Sequence, residues 1–174
     1  MTSSRNWRGH FLSVAKQAIL CYNYKKRGCS MEKLICKSLL WKMELSNGED
    51  YNTTLDKMFL ENSNNDLLLE LESCSSDSDA TFDILQRYWK YECGDFSVDD
   101  FGKCLLEDLK TVYFSNAFII AEFGKRCYQL WQQLPSEMHT KEPFHTLSYA
   151  NEPLSWNDEE QTRKLYEDLF DFYK

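Results

Sequence analysis

The chain has 174 residues, of which 43% are hydrophobic and 15% aromatic, enough for the core of one ordinary domain and too much for disorder throughout. Six glycines and three prolines are too little punctuation for an all-β sandwich or a glycine-rich nucleotide-binding sheet, so the composition favours helices. The net charge of −8 divides into +7 over residues 1–45 and −15 over residues 46–174, an acidic body that repels nucleic acid and anionic lipid and attracts a basic partner.

Residues 1–30 form a basic extension without clear capping signals. Its apolar stretch, residues 11–20, is interrupted by Lys16 and leads into Lys25-Lys26-Arg27 with no small-residue cleavage site, a poor match to a secretory signal. An amphipathic helix, a targeting segment and a start codon placed too far upstream all fit it. Met31, followed by Glu-Lys-Leu-Ile-Cys, is an ordinary bacterial start, and Met43 is a second candidate. Residues 1–30 are therefore expected to be dispensable and residues 31–174 to form a single acidic helical domain.

Over residues 32–44, Ile35, Leu39 and Met43 share one face at helical spacing, although a short strand also fits. Residues 46–50 read as a turn. Residues 52–60 predict a short helix with Leu55, Met58 and Phe59 inward, followed by a polar loop at 62–66. The apolar run 67–71 is too short for periodicity to assign, and 73–79 is a Ser/Asp-rich connection. Asp77 or Ser78 then caps a helix bearing Ile84, Leu85, Tyr88 and Trp89, which Gly94 is expected to end in the left-handed conformation. Ser97-Val-Asp-Asp100 opens the next helix as a capping box in which Asp replaces the usual Glu or Gln. Val98, Phe101, Leu105, Leu109 and Val112 form its stripe. A third helix runs from about residue 119 to 133, with Ile120, Phe123, Cys127, Leu130 and Trp131 inward and Pro135 as its stop.

Phe96-Ser-Val-Asp-Asp-Phe-Gly-Lys103 aligns with Phe118-Ile-Ile-Ala-Glu-Phe-Gly-Lys125 at an offset of 22 residues. Each copy sets an aromatic before the helix, an acid in its first turn, and Phe-Gly-Lys after it, with Gly102 and Gly124 suited to close approach of a neighbouring helix. Two copies are too few for a solenoid. Residues 136–157 are irregular, with an extended piece at 144–149. Asn157-Asp-Glu-Glu160 then caps a last helix with Leu165, Leu169 and Phe172 on one face, widened by Tyr166, Phe170 and Tyr173. The fold expected is mainly α: a compact helical bundle, with a short hairpin or extended segments outside it.

Chemistry is sparse. No nucleotide-binding glycine pattern, P-loop, H-E-x-x-H helix or nucleophile elbow occurs. Seven cysteines without C-x-x-C spacing suit a reducing cytoplasm and lack a zinc signature, so neither metal nor cofactor is expected. Cys127 with His139 or His145 is the only Cys–His pairing considered, and loop histidines facing solvent explain the same residues. Acids at helix starts are explained by the helix dipole without any role in a reaction. Lys25-Lys26-Arg27 beside Tyr22 and Tyr24 is the one segment suited to nucleic acid, but a triplet falls short of a patch and a solvated tail is the preferred reading. Binding, and not catalysis, is the expectation.

Asp95-Phe-Ser-Val-Asp-Asp-Phe-Gly-Lys103, Glu122-Phe-Gly-Lys-Arg126 with Leu130-Trp131, and Pro153-Leu-Ser-Trp-Asn-Asp-Glu-Glu160 resemble helical bacterial immunity proteins of the colicin D type and of contact-dependent growth-inhibition systems. The likeness spans roughly residues 66–174. It implies a cytoplasmic antidote, without cofactor or membrane attachment, that binds one cognate toxin, often a nuclease. An acidic body would complement the basic cleft of a nuclease. The contact carboxylates are then expected among Asp99, Asp100, Glu107, Asp108, Glu122, Asp158, Glu159 and Glu160, with Tyr113 and Trp156 as aromatic anchors. A regulatory or adaptor protein binding nucleic acid through its basic N-terminus is the rival reading.

Overall fold

The structure, a computed structural model, describes residues 30–94 and 96–174. The expectations for residues 1–29 lie outside the described residues. Among those described, eight α-helices follow in order: α1 (Met31–Lys42), α2 (Glu49–Glu61), α3 (Asp66–Ser73), α4 (Ser78–Tyr91), α5 (Val98–Phe114), α6 (Ile120–Gln133), α7 (Thr146–Tyr149) and α8 (Glu159–Phe170). A 3-10 turn, Glu152–Trp156, links the last two. The mainly α bundle expected from the sequence is the architecture observed.

α1 is the hub, packed on α2, α4 and α5. Leu34, Ile35, Cys36, Ser38 and Leu39 are all fully buried, so apolar residues run round the helix instead of down one stripe. Two of its three lysines face acids on the surrounding helices, and Lys33 is exposed. Lys37 reaches Asp108 of α5 at 2.8 Å and Asp50 of α2 at 3.5 Å, and Lys42 reaches Asp79 at 3.0 Å and Asp83 at 3.6 Å on α4. The positive charge of Lys37 and Lys42 is thus matched within the fold by the acidic body.

Short polar caps start most helices. Ser30, Asn65, Asp77, Ser97 and Asp158 each accept backbone N–H groups from the first turn of α1, α3, α4, α5 and α8 respectively. Ser30 therefore belongs with the body, and a boundary drawn after residue 30 removes the cap of the hub helix. The turn at 46–50 holds Gly48 in left-handed backbone (φ 83°), where a Cβ would lie 2.7 Å from the Trp41 ring that stacks on Tyr51. Gly94 does not adopt the left-handed conformation expected of it: α4 ends at Tyr91, Glu92 caps it with φ −124° and ψ −20°, and the Cys93 N–H returns to the Tyr88 carbonyl.

Two further expectations are corrected. The described residues contain no strand, and 146–149 coils into α7 where an extended piece was expected. Prolines 143 and 153 erase helical periodicity without imposing extended backbone, since Pro153 sits in the first turn of the 3-10 segment, where no N–H is needed. The buried face of α8 is Thr162, Tyr166, Leu169 and Phe170; Phe172 follows the last helical turn and is half exposed.

The repeat has a packing role. A Cβ on Gly102 would overlap the Tyr173 hydroxyl, and one on Gly124 would lie 2.7 Å from Asn151 Cβ and 3.3 Å from the Tyr166 hydroxyl. Each glycine thus admits the C-terminal segment against α5 or α6. No helix of the described residues is long and apolar enough to cross a membrane.

The capping box at Ser97 is completed from outside its own helix. Ser97 Oγ accepts the Asp100 N–H at 3.2 Å, and the Ser97 N–H donates to Glu32 Oε1 on α1 at 3.0 Å. Glu32 is only 4% exposed and fills the place that a Glu at position 100 would take within α5. Glu32→Ala is expected to cost about 2 kcal/mol, the value of a charge-assisted hydrogen bond. Asp100→Glu in that background should recover part of the loss, read from urea unfolding; equal stability of E32A and E32A/D100E would refute this account. Gly124→Ala is expected to cost about 1–3 kcal/mol from overpacking. Gly102→Ala should cost less, because the clashing atom is the tip of the half-buried Tyr173 and can swing aside; thermal melts of the two variants compare them directly.

Candidate functional site

The sequence-predicted contact residues fall into three groups. Tyr113 and Glu159 line a notch of about 210 Å³ between the α5–α6 turn and the start of α8, together with Ile119, Phe123 and Arg163. Asp158 and Glu160 flank Glu159 and are exposed, and Trp156, 64% exposed, ends the 3-10 turn that packs on α8. Asp99 and Asp100 sit at the other end of α5, about 21 Å of helix away from Tyr113. There Asp99 lies close enough to Tyr173 to assist burial in pushing that phenol up. Glu107 is exposed in the middle of α5.

Two of the predicted carboxylates are engaged inside the protein. Asp108 points toward α1, where Lys37 holds Oδ1. Glu122 pairs with Arg126 at 3.0 Å, and Arg126 also reaches Glu44 Oε2 and the Met43 carbonyl, both at 2.8 Å. The ten residues therefore do not form one face; the notch and the start of α8 gather five of them.

Around the notch the side chains are held firmly. Arg163 donates to Glu159 Oε1 at 2.6 and 2.8 Å and lies 3.4 Å from the Tyr113 hydroxyl. The Tyr113 ring packs edge-on against Phe123 and tilts onto Phe170 at 5.4 Å. Tyr113 is thus half core, a support for the notch more than an anchor. Phe114 and Ile119, at the two ends of the α5–α6 turn, are 56% and 75% exposed, and neither is among the contact residues expected from the sequence. The signal was present for Phe114: it lies about 140° round α5 from Phe101, well off the buried stripe. Ile119 shares the notch with Glu159, which Arg163 neutralises, leaving Asp158 and Glu160 on either side of it as the charge at the start of α8, whereas Phe114 lies toward Phe170 at the end of that helix. A rigid apolar edge beside carboxylates suits an amphipathic, basic protein surface.

A second groove, about 500 Å³, opens between the end of α4 and the end of α6, with Trp89, Phe96, Val98, Leu134 and Met138 on its walls and Lys90 and Glu137 among its lining residues. The Cys–His pairing considered from the sequence does not form. Cys127 is fully buried and burial pushes its thiol up. His139 stacks on Trp131 and His145 faces Glu142 and Tyr149. A different cysteine cluster does assemble. Cys36 of α1 meets Cys104 and Asp108 of α5, and burial, aided by both neighbours, pushes the Cys36 thiol up. Sequence spacing could not announce it, since 68 residues separate the two cysteines.

No family model matches the chain, and no curated protein or solved structure was found to be significantly similar to it.

Proposed function

We propose that this protein acts by binding, as an immunity protein that engages and silences a basic toxin domain of the nuclease type. The observation that supports this reading is the exposure of Ile119 and Trp156 near the start of α8, where the exposed Asp158 and Glu160 flank Glu159 of the notch. Exposed aromatic and aliphatic groups on a rigid frame are what interface hot spots are made of, and adjacent carboxylates select a basic partner and speed its approach. The acidity of residues 46–174 extends that field over the body.

The nucleic-acid reading is narrowed by the ion pairs of α1. Lys37 and Lys42 are occupied by acids of the fold. The six basic residues of 1–29 and the exposed Lys33 are then the ones left for phosphate contacts.

Titration calorimetry with the C-terminal domain encoded immediately upstream tests the proposal. One-to-one binding that abolishes a toxic activity is the expected result; absence of binding, with full-length protein shifting an oligonucleotide at physiological salt, would favour the nucleic-acid reading instead. Trp156→Ala should weaken the complex about 30-fold or more, equivalent to about 2 kcal/mol. Glu160→Gln should act mainly on the association rate, and the rate for the unaltered protein should fall as salt rises; a rate indifferent to salt would count against electrostatic steering.

A further inference from the structure

The contact between α1 and α5 carries a cluster with donor chemistry of its own. Cys36 is fully buried on α1, and Cys104 and Asp108 stand one turn apart on α5, each partly exposed. Asp108 Oδ2 lies 3.5 Å from Cys36 Sγ and 3.8 Å from Cys104 Sγ. All three donor atoms lie within 4.8 Å of one another. The other carboxylate oxygen, Oδ1, is held by Lys37 Nζ at 2.8 Å.

These separations match the edges of a coordination tetrahedron. With Zn–S near 2.3 Å and Zn–O near 2.0 Å, a tetrahedral ion spaces sulfur from oxygen by about 3.5 Å and sulfur from sulfur by about 3.8 Å. The Cys36 sulfur is already at that length from the oxygen and the Cys104 sulfur about 0.3 Å beyond it, and the sulfurs need to close by no more than about 1 Å. The charges also balance: two thiolates and a carboxylate exceed a divalent cation by one negative charge, which the Lys37 ammonium offsets. Lysine on the outer oxygen also turns the inner oxygen toward the sulfurs, the role that hydrogen-bonded partners play around metal-ligating carboxylates.

We propose that Cys36, Cys104 and Asp108 form a three-ligand site for a thiophilic divalent cation, zinc foremost, with Lys37 orienting the carboxylate. On binding, each thiol releases its proton to solvent and a water completes the fourth position on the side where Cys104 and Asp108 approach the surface. The ion fastens the hub helix to α5. It stabilises the folded chain by mass action, because the donors come together only in that state.

Cobalt(II) added to the reduced full-length protein tests this. A thiolate-to-cobalt charge-transfer absorption should saturate at one ion per chain and disappear when zinc is added. Cys104→Ser, at a partly exposed position that tolerates a hydroxyl, should abolish the absorption, and Lys37→Met should weaken binding about tenfold or more while leaving the absorption intact at saturation. Cys74→Ser and the Cys21→Ser/Cys29→Ser pair should change neither. Zinc should raise the melting temperature of the parent protein and not that of C104S, with circular dichroism confirming that the variant is folded. No charge-transfer absorption, an absorption that survives C104S, or a Cys36–Cys104 disulfide forming with no measurable metal affinity would each overturn the proposal.

Discussion

A helix packed against neighbours on three sides must find a partner for every charge it carries inward, since a buried ion without one costs far more than a buried methylene gains. α1 carries a buried Glu32 and half-buried Lys37 and Lys42. The solution fixes much of the architecture. Glu32 takes the N–H of Ser97 at the cap of α5, Lys37 takes Asp108 within one turn of Leu105 at the middle of that helix's buried stripe, and Lys42 takes two acids of α4. α5 is therefore held to α1 at two polar points, its start and its centre, with Phe101 and Leu105 buried between them. The apolar contacts supply the attraction, which is non-directional; the polar ones select the register at which helices meet.

Helix starts were legible because capping is a local matter, settled within four residues of chain. Asp77, Ser97 and Asp158 announced their helices, and the stripe from Phe101 to Leu109 is the one buried. What depends on distant chain was not legible. The Asp at position 100 looked like a defective capping box, and the missing carboxylate came from a residue 65 positions away. The hub character of α1 is hidden for a related reason: a helix buried on three sides has weak periodicity, and its basic charge makes it resemble the extension before it. Asp108 could have been placed. It is seven residues from Phe101, about 20° away on the helical wheel, so the pattern that buried Phe101 also turned Asp108 inward. Glu107, about 120° away from Phe101, points out as expected.

The negative charge of the body serves two ends, and the ion pairs separate them. Asp50, Asp79, Asp83 and Asp108 answer the lysines of α1; Glu70, Glu122 and Glu159 answer arginines. Exposed pairs of this kind are worth at most about 1 kcal/mol each, so their effect is to remove charge from the outward field more than to hold the fold. Asp158 and Glu160 are left beside the apolar edge at the start of α8, and Asp99, Asp100 and Glu107 along α5. An acidic composition alone would suit solubility; at the start of α8 the same acids also border exposed Ile119 and Trp156.

α5 joins the two proposed activities, since Cys104 and Asp108 lie at its centre and Phe114 ends it, about 9 Å beyond Asp108. A continuous helix over that distance offers no second arrangement for an ion to select, and coupling between sites requires an element with two states that both ligands bias. The cation is therefore a fastening and not a switch: it deepens the single folded state in which Phe114 is already presented. Its expected influence on the partner is correspondingly small in affinity and large in persistence, because a chain whose hub helix is tied to α5 opens less often, and every opening that separates those helices also dismantles the edge on which the partner would sit.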